Sequence, residues 1–439
     1  MFQDTAEGER QAELPLKFSR SWDTLPKAKV TRTTSEVPFA WAYTYTAFSL
    51  PFASAALELL GAHPGTTVFD PFVGSGTTIV AAARRGCAAL GVDVSPFSSL
   101  LARSRLAFDV DPDRIASYLD VEMLGTTSSM TRLELLGSEN SAYAENVIAA
   151  ILGGRGLTTD QLWTELLADD VGDYDSEAVA ILCLAIGARD CAKLVRGTNP
   201  IWFRRAPDTV EHSTISLKRA SIELANTVCN DLMGAKRIAR TACRIVNADI
   251  NSTCFRSEFD ICLTSPPYPN RLDYVVAHWP ELSVLELVAP RSTRDVRDSM
   301  IGTTKMVSKN LSNAPEAWGS LCASVLQRIL THDSYASRRY YYHTYYWYFD
   351  RLYEALIRTV AALRRGARGV IVLQDSFYKD VNIPNPAICV EMLRSLCCSA
   401  EITRTDKIRT HVGRMSPSQN VYVPRKTFGE SLVHFGRDF

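Results

Sequence analysis

The 439-residue chain reads as an α/β protein: a Rossmann-like sheet of mostly parallel strands, interrupted by a long, mainly helical insertion. Three observations predict this. The apolar run at residues 66–73 (TTVFDPFV) leads into GSGTT and then an alanine-rich helical stretch stopped by Gly86. Strand, glycine turn and helix open a Rossmann unit. A second apolar run, ALGVDV at 89–94, ends near Asp93, the spacing of about 20 residues at which such folds place an acid against ribose hydroxyls. Strand-like sequence then resumes only at ACRIVNADI (242–250) and FDICLT (259–264), after a stretch of helical patterning at 107–243.

Taken in order, residues 1–35 are polar and without period, and read as a mobile arm lacking the apolar core of a signal peptide. Residues 51–62 (PFASAALELLGA) space Phe52, Ala56, Leu59 and Leu60 as a helix, stopped by Gly61 and Pro64-Gly65. The glycine turn lacks GxxxxGK, and it does not complete GxGxxG. A phosphate loop is therefore excluded and a dinucleotide disfavoured. Ser95-Pro96 opens a helix, so Asp93 reads as a ribose acceptor or as a helix cap. The insertion is acidic in its first half (Asp169, Asp170, Asp173, Asp175, Glu177). It is basic later, at RGTNPIWFRR (196–205), which carries Arg204 and Arg205. That half is either a solvated face or a phosphate-contacting surface. Asp249 ends the next strand and is a turn residue or a ligand neighbour.

FDICLT runs into Ser265-Pro266-Pro267-Tyr268, and open α/β sheets bind ligands at strand C-termini, so this loop and the glycine loop can face one pocket. Residues 274–290 look helical. Residues 291–340 read as irregular and polar. The aromatic cluster at 335–350 invites base stacking, but it continues into a helical pattern, which favours packing along a helix. Arg338 and Arg339 beside it are phosphate-contact candidates. A buried strand at 369–373, a proline-started helix at 383–397, and two strands of alternating polarity at 400–411 and 420–426 complete the chain.

Composition sets limits. Apolar residues make up 46% and charged residues 22%, as in a globular protein with a sizeable core. Net charge is zero, so contact with nucleic acid must come from local basic patches. The eleven cysteines are scattered, without CxxC or a zinc-spaced Cys/His cluster. They read as buried reduced thiols of a cytoplasmic protein that holds no metal.

Together, DPFVGSGTT (70–78) and TSPPY (264–268) resemble the amino-methyltransferases, enzymes that use S-adenosylmethionine to methylate an exocyclic base amine. Within that family they are similar to the DNA N4-cytosine and N6-adenine enzymes. The resemblance implies a seven-stranded sheet closed by an antiparallel hairpin. It implies S-adenosylmethionine as cofactor and DNA as partner, with a cognate restriction or defence nuclease beside it. Tyr45, Thr46 and Phe48 would pack on the methionine moiety. Asp70 and Phe72 would flank the loop, and Gly74, Ser75 and Gly76 would line the methionine end. Thr77 and Thr78 would cap the next helix and donate to the ligand carboxylate. Asp93 would take the ribose, Ser95 and Pro96 would border the adenosine, and Asp249 would lie near the adenine amino group, with Thr264 also beside the cofactor. Ser265, Pro266, Pro267 and Tyr268 would be catalytic, with Ser265 and the Pro266 carbonyl as acceptors for the amine and Tyr268 as a stacking face. Arg204, Arg205, Arg271, Arg338, Arg339 and Arg414 are the nucleic-acid contacts. Serine as first residue of the tetrapeptide resembles the cytosine-N4 enzymes, whereas Asp or Asn is commoner in the adenine-N6 group. A ring-attacking C5-cytosine mechanism needs a cysteine nucleophile, usually after proline, and the chain has no Pro-Cys dipeptide. An RNA guanine-N2 enzyme, or a nucleic-acid binder that kept the fold, are the competing readings. Target recognition falls to the insertion or to residues 275–345.

Overall fold

The computed structural model describes residues 21–29, 41–42, 48–122, 131–168, 173–196, 203–207, 216–234, 242–269, 273–303, 313–408 and 428–438. In chain order the first elements are α1 (Leu50–Leu59), β1 (Thr67–Asp70), α2 (Thr77–Arg84), β2 (Ala88–Asp93) and α3 (Pro96–Ser104). Then come α4 (Pro112–Leu119), α5 (Ser138–Arg155), α6 (Thr159–Leu166), α7 (Asp175–Cys191), β3 (Leu194–Arg196), β4 (Phe203–Arg205) and α8 (Leu217–Gly234). β5 (Cys243–Asn247) and β6 (Phe259–Thr264) return the chain to the sheet. α9 (Tyr274–Ala277), α10 (Trp279–Leu285), α11 (Thr293–Ser299), α12 (Ser320–Thr331) and α13 (Tyr342–Ala362) follow. The chain closes with β7 (Leu363–Gln374), β8 (Ser376–Tyr378), β9 (Val381–Ile383), α14 (Asn385–Ser395), β10 (Cys398–Ile408) and β11 (Phe428–Arg437).

Seven strands form one sheet in the order β10-β11-β7-β6-β1-β2-β5. β5, β2, β1, β6 and β7 pair in parallel, and β11 runs antiparallel to both of its neighbours. This is the seven-stranded, mostly parallel sheet with an antiparallel closing hairpin that the motifs imply. Strand order reverses between β1 and β6, the switch point where doubly wound sheets open a crevice.

The strands are apolar on both sides because both faces are covered, and side chains alternate along a strand. Val68, Ile261, Leu263, Val370, Val372 and Leu432 pack with α1 and α2. The alternate residues Phe69, Cys262, Ile371, Leu373, Val433 and Phe435 pack with α12, α13 and α14. A third core joins α4 to α8 with Phe97, Leu100 and Leu101 of α3 and Leu282, Val284 and Leu285 of α10. The helical insertion thus shares its core with helices of the sheet domain.

Two stretches differ from expectation. The described part of 291–340 is not irregular: α12 buries Cys322, Val325, Leu326 and Ile329 at helical spacing, a period hidden by the polar residues on its outer face. The closing hairpin uses Phe428–Arg437 as its second strand. β11 lies between β10 and β7, so nearly every residue in it is buried and its sequence does not alternate. The 420–426 stretch lies outside the described residues. The aromatic run packs as the sequence suggests, with Tyr345, Tyr346, Tyr348 and Phe349 buried along α13. None of the eleven cysteines is in a disulfide, and nine of them are buried. Among the described residues no helix is long and apolar enough to cross a membrane.

One ion pair ties the insertion to the region after β6. Arg189 of α7 donates two hydrogen bonds to Glu281 of α10, at 2.6 and 2.9 Å, and a third to the Ala277 carbonyl. Glu281 is 1% exposed, so its removal leaves a half-buried guanidinium without its counter-charge. Burial alone would raise the Glu281 pKa, but His278 and Arg189 outweigh it and hold the carboxyl below its usual value. Its contribution is therefore present above the ordinary glutamate range and lost as pH falls through the lowered value. Glu281→Ala is expected to cost about 3–5 kcal/mol in chemical denaturation at pH 7, and the deficit should shrink as the pH approaches 4.

Candidate active site

The glycine loop follows β1 directly. Gly76 N-caps α2 with φ +83°, the left-handed region open to glycine. A Cβ there would lie 2.8 Å from the Cβ of Ala102 and 2.9 Å from its Cα, so α3 also requires glycine at this position. At Gly74, φ +49°, a Cβ would meet nothing nearer than the Phe72 carbonyl, at 3.8 Å. The loop is pinned from beneath: Val73 N–H donates to the Val92 carbonyl at 2.9 Å, and buried Arg105 donates to the Ser75 carbonyl.

Asp93 closes β2 beside this loop. One carboxylate oxygen accepts from Gly74 N–H and the other from Ser95 N–H, each at 2.9 Å. Burial raises its pKa to about 6 despite those two donors. Ser95, not Asp93, caps α3, its hydroxyl accepting from Ser98 N–H at 3.4 Å.

Asp70, at the end of β1, is 1% exposed. It accepts from the Thr264 hydroxyl at 2.6 Å and from Phe72 N–H at 3.1 Å. Thr78 Oγ1 donates to the Leu263 carbonyl at 3.0 Å. The ends of β1 and β6 are thereby joined. Burial also raises the Asp70 pKa to about 6.

On the β6 side, Ser265 Oγ lies 3.1 Å from the Val372 carbonyl and 2.9 Å from the Tyr268 hydroxyl, which itself lies 3.4 Å from Val372 O. With Ser265 donating to the Val372 carbonyl, its proton is used within the protein and Oγ keeps a lone pair for an incoming donor. The Tyr348 hydroxyl donates to the Pro267 carbonyl at 3.0 Å and stiffens the loop.

These pieces border a single pocket that encloses roughly 920 Å³ of non-protein space, solvent at its mouth included. Phe72, Gly74, Ser75, Asp93, Ser95 and Asp249 line it, and so do Ser265 and Pro267. The pocket therefore sits at the C-terminal ends of β1, β2, β5 and β6, across the switch point. Asp249 also caps the 3-10 turn Ile250–Ser252 and pairs with Arg351.

Several expected residues stand elsewhere. Phe48 is buried against Phe52. Pro96 is buried in the first turn of α3 and does not line the pocket. Thr77 and Thr78 begin α2 without capping it: Thr77 Oγ1 lies 3.3 Å from Ser75 Oγ, and Thr78 points into the protein. Thr264, Asp70, Gly76 and Pro266 lie behind the pocket wall. Tyr268 is 5% exposed and is not among the residues that line the pocket. Its hydroxyl finds partners only by turning inward, which takes the ring with it. Arg204 and Arg205 sit exposed on the β3–β4 hairpin, and Arg205 pairs with Glu134 at 2.7 Å. Arg338 and Arg339 are exposed on a π-helical turn, Ser337–Tyr341, where Arg339 donates to the Tyr335 hydroxyl at 2.8 Å. Tyr45, Thr46, Arg271 and Arg414 lie outside the described residues.

Phe97, Tyr274, His278 and residues 299–301 also line the pocket, beyond those that the motifs mark. Phe97 has a local signal, because it follows Ser95-Pro96 on the first turn of α3. Tyr274 and His278 follow the tetrapeptide by only a few residues, and residues 299–301 lie further on; none of them belongs to a recognisable pattern.

Residues 9–102 match the DNA methylase family of N6 and N4 enzymes. The chain is 22% identical over 303 residues to the type II methyltransferase M.BsoBI of Geobacillus stearothermophilus, a match spanning 62% of this chain and 57% of that protein. It is 35% identical over 68 residues to the type II methyltransferase M.MjaII of Methanocaldococcus jannaschii, across 16% of this chain and 12% of that one. The chain thus spans about half the length of the first relative and a small part of the second. Among solved structures, a geranyl diphosphate methyltransferase in complex with SAM aligns with 89% of this chain and 86% of its own at 10% identity, with a TM-score of 0.30.

Gly76→Ala is expected to cost about 1–3 kcal/mol, because backbone and Cβ of Ala102 must both move. Gly74→Ala should cost about 1 kcal/mol, for the backbone conformation alone. Urea denaturation of the two variants checks the order.

Proposed function

We propose that this relative of the N6/N4 DNA methylases transfers a methyl group from S-adenosylmethionine to an exocyclic amine of a DNA base, cytosine N4 before adenine N6. The observation that carries the reading is one pocket with two kinds of wall. Gly74, Ser75, Asp93 and Asp249, from the strand ends of β1, β2 and β5, line it together with Ser265 and Pro267, which follow β6. The pocket residues suit that cofactor. The glycine loop lets a ligand approach the backbone, and Asp93 holds an acidic acceptor where a ribose diol can reach it. Bound S-adenosylmethionine would supply an electrophilic methyl on its sulfonium.

The protein's part is to position and to polarise. A base amine is a weak nucleophile because its lone pair is delocalised into the ring. Ser265 Oγ, its own proton already committed, accepts from the amine and raises electron density on nitrogen as the bond forms. The stiffened proline loop fixes the approach, and apolar Met300 and Ile301 help to exclude water. Reaching such a recessed pocket requires the base to leave the duplex. No side chain need act as a base before transfer, since the proton departs afterwards. Phosphate contacts are assigned to exposed Arg204, Arg338 and Arg339, and target reading to the insertion or to residues 275–345. A cognate nuclease, as for type II systems, is the proposed partner, and the cytoplasm the proposed location.

Nucleoside mass spectrometry of DNA from cells expressing the protein is expected to reveal N4-methylcytosine. N6-methyladenine would change the base, and modified RNA beside unmodified DNA would overturn the reading. Ser265→Ala should lower kcat on the order of 10²–10³-fold with cofactor affinity little changed. Asp93 must be ionised to accept fully from a ribose, and its pKa is raised to about 6. Cofactor affinity should therefore hold above pH 7 and weaken by up to about tenfold per pH unit below 6. Calorimetric titrations between pH 5 and 7.5 check the slope, which Asp93→Asn should flatten.

A further inference from the structure

Asp93 and Asp249 both line the pocket, and they are anchored differently. Asp93 has a backbone amide on each oxygen, from Gly74 and Ser95. Asp249 has one such anchor, since its Oδ1 accepts from Asn251 N–H at 3.0 Å. Its Oδ2 is held by a side chain 102 residues further on, where Arg351 of α13 donates to it at 2.5 Å. The last torsion of an aspartate is soft, so a carboxylate fixed at one oxygen can still swing the other. The aim of Oδ2 therefore depends on the guanidinium.

The clasp has more than one contact. The same Arg351 nitrogen donates to the Ser299 carbonyl at 2.9 Å, and Asn251 Nδ2 donates to the Arg351 carbonyl at 3.2 Å. One residue of α13 thus grips the turn after β5 with both its backbone and its side chain. It also ties that turn to residues 299–301, which line the pocket with Asp249. Asp249 is 6% exposed, and among the described residues Arg351 is the cation paired with it. Arg351 itself is not among the lining residues, so it reaches a ligand only through Asp249. A carboxylate oxygen has two lone pairs, so the clasped acid can still accept from a further donor.

We propose that Arg351 is a positioning residue that makes the pocket selective for an amine-bearing adenine, by fixing the carboxylate of Asp249 that accepts from that amine. The inference rests on reading the pocket as an S-adenosylmethionine site with Asp249 at the adenine. A site built to accept from an N–H rejects the analogue that lacks it only while the acceptor is held in place.

The test uses the full chain and calorimetric titration with two ligands. One is S-adenosylhomocysteine, and the other is S-inosylhomocysteine, in which a carbonyl replaces the exocyclic amine. The wild-type chain is expected to bind the first about 10–100-fold more tightly, the range of a hydrogen bond to a charged group. Arg351→Met keeps a similar length without donors, and its ratio should fall to within about threefold, mainly through weaker binding of the adenosine ligand. Arg351→Gln is too short to reach both oxygens and should lose the ratio in the same way, which provides a second reading if the methionine variant does not fold. Asp249→Ala should give the same low ratio. A full ratio in the Met or Gln variant, with both ligands bound equally more weakly, would make Arg351 a structural clasp alone and overturns the proposal. So does a full ratio in Asp249→Ala, which would assign the amine to another acceptor, or equal affinity of the wild-type chain for the two ligands. A wild-type chain that binds neither ligand sinks the reading of the pocket itself and not merely the role of the arginine.

Discussion

Asp70 accepts a hydrogen bond from Thr264, and this contact joins the two strand ends from which both functional loops spring. β1 and β6 are neighbours in the sheet but nearly two hundred residues apart in the chain. Their ladder fixes the strands. The side-chain pair, with Thr78 reaching the Leu263 carbonyl, fixes the loops above them. Burial is the cost of the arrangement. A carboxyl with no water resists ionisation, and Asp70 is raised to about 6 for that reason, its hydroxyl and amide donors only partly offsetting the desolvation. The residue therefore belongs to the frame of the pocket and not to its lining.

The same physics separates Asp93 from Asp70. Both carboxyls are raised to about 6 mainly by burial, yet only Asp93 borders the pocket. Two backbone amides already hold its oxygens in place, so the pocket is lined by an acceptor whose orientation is set beforehand. Ser265 follows that logic with a hydroxyl: its proton goes to the Val372 carbonyl, and an accepting lone pair remains. Each of these pocket-lining polar groups is held still by contacts within the protein.

The insertion contributes to the site indirectly. Arg189 of α7 grips Glu281 and the Ala277 carbonyl and lies 3.4 Å from His278, a pocket-lining residue whose ring meets that of Phe97, another, at a tilt with centroids 4.9 Å apart. The helices between β2 and β5 thus buttress one wall of the pocket. No local pattern could reveal this, because the partners lie in segments about ninety residues apart.

Local sequence was enough to specify most of the strands, the glycine turn, the helical character of the insertion and the two loops that share a pocket. Apolar runs, glycine stops and helical spacing are short-range properties, and the parallel sheet demands little more than these. Gly74, Asp93, Asp249, Ser265 and Pro267 were marked in the same way, since each sits at a strand end in a short recognisable pattern. Which motif residues line the pocket depends on long-range packing. Tyr268, Thr78 and Thr264 have the right chemistry but turn inward, because a buried hydroxyl must find a partner and theirs lie within the core. The last strand escaped for a related reason: its position between β10 and β7 buries both faces, and the alternation that would have marked it is absent. Tyr274 and His278 follow the β6 loop closely in the chain but carry no motif, and their place at the mouth of the sheet depends on how α9 and α10 pack.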